Sequence, residues 1–183
     1  MSCFISSGFA LDCRNASTGG LQTIWILGDS GNTITSWTSN GDNQVTSVTG
    51  TGTFYKFELT KQGSSFTEDI GVNTTAQSVV FQPTLVMNLP RMDKDLRNVF
   101  QNLVSQNNIF AIAKDNNGRY WSVAWQNGAL VTAGSLASGL AYTDLNGMSA
   151  LTIVGGEPNA TQEILIPAGD TLQDVFTGIT VEL

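Results

Sequence analysis

Apolar positions along this chain follow two different periods. Between residues 91 and 106, Met92, Leu96, Val99, Phe100, Leu103 and Val104 fall at offsets 0, 4, 7, 8, 11 and 12. That spacing is one stripe of a 3.6-residue helix. The helix follows Pro90, carries Asp93 and Asp95 in its first turn, where acids suit the helix dipole, and is expected to stop near Asn107 and Asn108. Nearly everything else reads as short extended runs broken by Gly, Asn, Asp, Ser and Thr.

Residues 21–27 are rich in β-branched and aromatic side chains and predict a first strand, closed by Gly28-Asp29-Ser30-Gly31-Asn32 turn chemistry. Weaker strands are expected at 33–38 and 44–49. A strand over 53–61 places Phe54, Phe57 and Leu59 in imperfect alternation, which predicts a bulge. Two extended runs follow, 64–75 and 76–89. Pro83 interrupts the second, and a residue without an N–H predicts an edge strand or a bulge there. After the helix, 109–113 reads as a buried strand, Asp115-Asn116-Asn117-Gly118 as a hairpin turn and 119–125 as its partner strand. Asn127-Gly128 leads into 129–133, Asn146-Gly147 into 150–154, and the segment from Glu163 holds one or two more strands.

This order predicts a mainly β fold: an antiparallel β-barrel or sandwich with one flanking α-helix covering an opening or a face. A chain of 183 residues suits one domain, 1–183, with an N-terminal arm at about 1–20. No internal repeat or low-complexity linker divides it.

Composition narrows the function. Charged residues are 13% of the chain, about half the usual share, so the surface is built from Thr, Ser, Asn, Gln and Gly. Such a surface packs against copies of itself with little desolvation of charge. The net charge is −7. From Asp115 onward seven acids face one base, Arg119. This balance argues against a nucleic-acid reader, which needs phosphate-neutralising Lys and Arg. The N-terminal segment carries no basic, long apolar signal, and no run approaches a membrane span, so cytoplasmic synthesis with Cys3 and Cys13 reduced is expected.

Catalytic chemistry finds little to stand on. The chain has no histidine, so a Ser-His-Asp or Cys-His constellation cannot form within it, and two cysteines alone cannot make a zinc site. Asp93 and Asp95 do not share a helix face. Glu68 and Asp69 are adjacent in an extended run and point to opposite faces. Glu157 sits in a turn between Gly155-Gly156 and Pro158. No catalytic, cofactor-binding or metal-ligating residue is therefore assigned, no cofactor is expected, and the protein is read as not an enzyme. A carboxylate hydrolase using Glu68 or Asp69 is the weakest alternative. Trp121 and Trp125, four apart in a strand, are expected on one face, as core residues or as a sugar- or base-stacking platform.

Several segments together resemble a known family. Cys3, Cys13-Arg14 and Gly19-Gly20 lead into Ile24-Trp25-Ile26. Phe57-Glu58-Leu59, Ser65-Phe66-Thr67-Glu68, the helix and Asp115-Asn-Asn-Gly-Arg-Tyr-Trp121 follow. This pattern, over roughly residues 3–155, resembles tail structural proteins of tailed bacteriophages, of the tail-tube or tail-hub type found in phages of Bacteroidetes hosts. The resemblance implies a virion structural protein assembled in the host cytoplasm. Its fold would be tail-tube-like, forming homo-oligomeric, hexameric rings that stack on other tail proteins. Inner strands would line a channel through which DNA passes without sequence-specific contact. No catalytic residue carries over. The N-terminal arm, 28–43 and 64–75 are the segments expected to touch neighbours, on their low apolar content. A negative lumen would repel phosphate during ejection. The alternative is a capsid decoration or receptor-binding β-module with Trp121 and Trp125 exposed.

Overall fold

A computed structural model describes residues 19–29, 31–59, 63–75, 78–89, 93–138 and 148–182. The expected N-terminal arm, apart from Gly19 and Gly20, and the Asn146-Gly147 turn lie outside the described residues. The strands are β1 (Leu21–Gly28), β2 (Thr33–Ser39), β3 (Val45–Glu58), β4 (Ser65–Asn73), β5 (Ser78–Leu89), β6 (Ile109–Asp115) and β7 (Tyr120–Val123), then β8 (Ala129–Ala137), β9 (Met148–Gly155), β10 (Gln162–Ile164) and β11 (Phe176–Val181). One α-helix, α1 (Lys94–Val104), lies between β5 and β6, and a short 3-10 turn, Leu172–Val175, precedes β11. The protein is mainly β with one flanking helix, as the periodicity predicts.

The centre of the molecule is the antiparallel pair β1–β6, with Trp25 opposite Ile112 and Leu27 opposite Phe110. Both faces of this pair are buried. Ile24, Ile26, Ile109 and Ala111 point into one core with Leu85, Met87, Leu151 and Ile153. Trp25, Leu27, Phe110 and Ile112 point into a second core with Val48, Phe54, Phe176 and Ile179. This explains why 21–27 and 109–113 read as near-continuous apolar runs: each strand serves two cores, one per face.

Strand pairing runs β1–β3–β10–β7–β6 and returns to β1, closing an uneven ring. The β3–β10 contact is a single pair, Val45 with Ile164, so the body is closer to a sandwich than to a regular barrel. A four-stranded wing, β8–β9–β5–β4, extends from β6 through the Ile109–Ala129 pairing. Helix α1 covers the inner side of this wing. Asp93 caps it by accepting from Leu96 N at 2.8 Å, and Phe100 and Leu103 are its buried residues. The stripe is narrower than its sequence suggests, because Val99 and Val104 are exposed at the rim and Leu96 is half-buried. The helix also ends earlier than expected, at Val104, where Ser105 Oγ donates to the Gln101 carbonyl.

Three sequence expectations change. The strands expected at 44–49 and 53–61 are one 14-residue strand, β3, which passes its edges in turn to β2, β11, β10 and β1. The sheet is mixed rather than wholly antiparallel, because β11 and β10 both run parallel to β3. Pro83 is on an interior strand, opposite Glu68 of β4, one residue beyond Thr84, the last β5 residue paired to β9. Its missing N–H coincides with the end of the second ladder, so no pairing is lost. The Asp115–Gly118 hairpin forms as read: Asp115 Oδ1 accepts from Asn117 N at 2.8 Å and Arg119 N at 2.9 Å. Among the described residues, no helix is long and apolar enough to cross a membrane.

Candidate functional site

A cleft of about 750 Å³ opens between the tip of the wing and the second core. Val79 and Phe81 of β5 form one wall, Trp37 of β2 the opposite one, and Trp125 the floor. Residues 157–162 close its side. They are tied to the wing by a two-way backbone bridge, Phe81 N to Glu157 O at 2.8 Å and Glu157 N to Phe81 O at 2.7 Å.

The floor is set by one residue in an unusual conformation. β7 ends at Val123, and Ala124, buried and non-glycine, sits at φ +56°. A left-handed alanine is strained and is held only where surrounding contacts over-determine it. The break turns the chain so that Trp125 joins the second core, while Trp121 packs half-buried against the first. The expectation of Trp121 and Trp125 on one face therefore fails, because the strand does not continue through 124. Trp125 is 5% exposed and donates Nε1–H to the Ala111 carbonyl at 2.8 Å. Trp37 packs against it edge to face, with ring centroids 6.1 Å apart, and donates Nε1–H to Gln162 Oε1 at 3.0 Å. Gln162 in turn donates to Asn43 Oδ1, and Asn43 is the other non-glycine residue at positive φ, +62°. Both such residues among those described line this cleft.

The carboxylates are brought together by the fold in a way their spacing does not reveal. Glu157 is 6% exposed. Its Oε1 accepts from Asn127 N at 2.9 Å and its Oε2 from Gln126 N at 3.2 Å, which fixes the turn between Trp125 and β8. Glu68, opposite Pro83, accepts at Oε1 from Thr161 N at 2.8 Å and from the Thr161 hydroxyl. Asp69 takes the other face of β4, opposite Gln82, so the opposed directions of Glu68 and Asp69 are as expected. Burial pushes the Glu157 carboxyl above its ordinary value. The backbone donors of Asn127 and Gln126 pull it back in part, and the charge of Glu68 adds to the rise.

No protein-family profile matches this chain, and no curated protein sequence matches it. What the site can do is read from its groups alone. Both carboxylates accept hydrogen bonds from main-chain donors of their own fold, so they fix loops. The amides of Gln126 and Asn159 are left exposed at the surface of the cleft as polar edges around aromatic walls. That is a binding arrangement.

A raised carboxyl in the folded state has a defined pH signature. At low pH Glu157 is protonated both folded and unfolded. As pH rises through the ordinary carboxylate range the unfolded form ionises first, so stability from this group falls until the folded form ionises too, and is constant thereafter. Glu157→Gln removes that dependence, at a fixed cost from losing one acceptor. The difference in Tm, wild type minus variant, is expected to decrease as pH rises through and above the ordinary carboxylate range in paired calorimetric scans. A difference that stays flat across that range would contradict the burial assigned to the carboxyl.

Trp37 and Glu157 escape sequence reading for separate reasons. Trp37 carries a signal, a lone large aromatic in a Thr/Ser-rich strand. Glu157 looks like any acid in a Gly-Pro turn, and its meeting with Glu68 spans 89 positions, the difference between the two residue numbers.

Proposed function

We propose that this protein is a virion structural protein that self-associates into rings, six-fold in symmetry, of a phage tail tube or tail hub, with a channel that conducts DNA during ejection. Its role is structural, not catalytic. The observation that carries the proposal is the wing. None of β4, β5, β8 and β9 contains a lysine or arginine, and the acids of the four are Glu68 and Asp69 on β4. The outer face therefore presents Thr67, Asp69, Gln82, Thr84, Thr152 and Leu130, a surface with nothing to hold a phosphate backbone. The overall charge of −7 acts in the same sense.

The edge of the wing supports assembly. β4 pairs with β5 alone, so its other edge is open among the described residues. The hairpin runs past the end of β9: the pairs Ile70–Phe81 and Val72–Val79 lie beyond the β5–β9 ladder, which ends at Thr84. Ile70, Val72 and Val79 continue the core-facing side of the hairpin but are 62%, 65% and 45% exposed. An open edge with an uncovered apolar face is a surface that natural sheets cover in the assembled state. This is the 64–75 segment expected to touch neighbours. The likeness to tail proteins in residues 3–155 supports the same reading.

Negative-stain electron microscopy of concentrated protein, paired with light scattering, tests the proposal. Closed rings or stacked tubes are expected. A monomer at every concentration would overturn it. Val72→Lys is expected to abolish the rings while leaving Tm within about 2 °C of wild type, since an exposed substitution changes stability by about 0.5 kcal/mol or less. Rings that persist undiminished in Val72→Lys would remove the hairpin from the interface.

A further inference from the structure

The cleft between Trp37, Phe81 and Glu157 has a chemistry that selects one class of ligand. Among the described residues it is lined by no lysine or arginine. An anionic ligand would meet Glu157, with Glu68 held behind it on Thr161, and find no counter-charge. A wholly apolar ligand would strip water from the exposed amides of Gln126 and Asn159 and return no hydrogen bond. An extended peptide would need free backbone donors along the wall, yet Phe81 and Glu157 spend both of theirs on each other. A neutral ring with an apolar face and equatorial hydroxyls meets each demand. Its face packs on an indole and its hydroxyls exchange hydrogen bonds with side-chain amides.

The walls are also built to stay put. Trp37 is fixed by its edge-to-face contact with Trp125 and by its bond to Gln162 Oε1, and Asn159 Nδ2 donates to Gln126 Oε1 at 3.2 Å. Ala124, the strained residue, and Asn43, a turn asparagine at positive φ, line the cleft with this set. Strain of this kind is retained where a geometry is needed, and rigid walls reduce the ordering cost of binding. We propose that this cleft is a binding site for a neutral saccharide, with Trp37 as the stacking platform, braced by Gln162, and Gln126 and Asn159 as the hydroxyl-reading groups. The two proposals share Val79, which lines the cleft and belongs to the exposed face of the hairpin, whereas Trp37, Gln126 and Asn159 belong to the cleft alone.

The test begins with the full chain on a printed array of neutral, acidic and amino mono- to tetrasaccharides. Titration of the strongest neutral ligand follows, by calorimetry and by tryptophan fluorescence. Saturable binding of a neutral saccharide, with a fluorescence change, is the expected result. Trp37→Ala is expected to weaken binding by about tenfold or more. Asn159→Ala, at an exposed position that leaves folding intact, is expected to weaken it about three- to tenfold. The Asn159 variant keeps the test decisive if Trp37→Ala folds poorly. Three results would each overturn the proposal: no neutral saccharide bound at millimolar concentration, a preference for acidic sugars, or an affinity unchanged in Asn159→Ala and in a folded Trp37→Ala.

Discussion

Phe100→Asp is expected to abolish cooperative folding. Phe100 is 5% exposed on the inner face of α1 and belongs to the core that holds Leu89, Leu103, Ile109 and Leu151. Replacing it removes a buried ring worth about 1.5–3 kcal/mol in apolar transfer and places a carboxylate where no cation lies among those core residues. An unpaired buried charge adds several kcal/mol more or forces the group to stay protonated. The sum, about 4–5 kcal/mol or more, is comparable to the whole stability of an ordinary domain. Circular dichroism and a thermal scan should show either no unfolding transition or one lowered by more than about 10 °C. The control is Arg97→Glu, on the exposed face of the same helix. It is expected to leave Tm within about 2 °C. A wild-type transition in Phe100→Asp would mean that the helix does not seal the wing.

That helix is the part of the molecule most legible in the sequence. Its 3.6-residue stripe is contained within thirteen consecutive residues, 92–104, although Asp93, read as a first-turn acid, is in fact its N-cap. The hairpin at Asp115–Gly118 is legible for the same reason, since Asn-Gly chemistry acts within four residues. β1 and β6 are legible as strands, but their central role is not. A run such as Ile24-Trp25-Ile26-Leu27 says that both faces are buried and does not say by what. The parallel pairing of β11 to β3 joins Phe176 to Val48 across more than a hundred residues, and no local pattern encodes it. The cleft fails to show for two reasons. Trp37 and Glu157 come from segments far apart in the chain. The left-handed turn at Ala124 that separates Trp121 from Trp125 is imposed by packing against intrinsic preference, so alternation through 119–125 gives the wrong face for one of them.

Gly50→Ala tests the other half of the molecule, where three strands meet with no room between them. Gly50 of β3 lies opposite Ile34 of β2 and faces β11 on its other edge. A Cβ built there would overlap the Thr33 carbonyl oxygen and lie 2.8 Å from Ile179 Cδ1. The opposing element cannot yield. Gly178, at φ +77°, forms the bulge at which the β11 register shifts between Thr177 and Ile179, and a Cβ built on it would overlap the Gly50 carbonyl oxygen. Relief must therefore come from moving backbone, either β2 away from β3 or β11 with its buried Phe176, Ile179 and Val181. Overpacking of this kind costs about 1–3 kcal/mol, at the upper end when the contact is main chain. The expected result is a Tm lowered by about 6–12 °C, the shift for about 3 kcal/mol in a domain of this size. Gly41→Ala is the matched control, because no atom lies within 4 Å of the Cβ it would add. If Gly50→Ala and Gly41→Ala unfold together, β2, β3 and β11 are not packed as described. If Gly50→Ala alone falls, the loss should also loosen Trp37. That residue reaches the cleft from the same short strand, opposite Val48 and two residues along β3 from the altered site, so saccharide affinity should drop with stability although Gly50 touches nothing in the cleft.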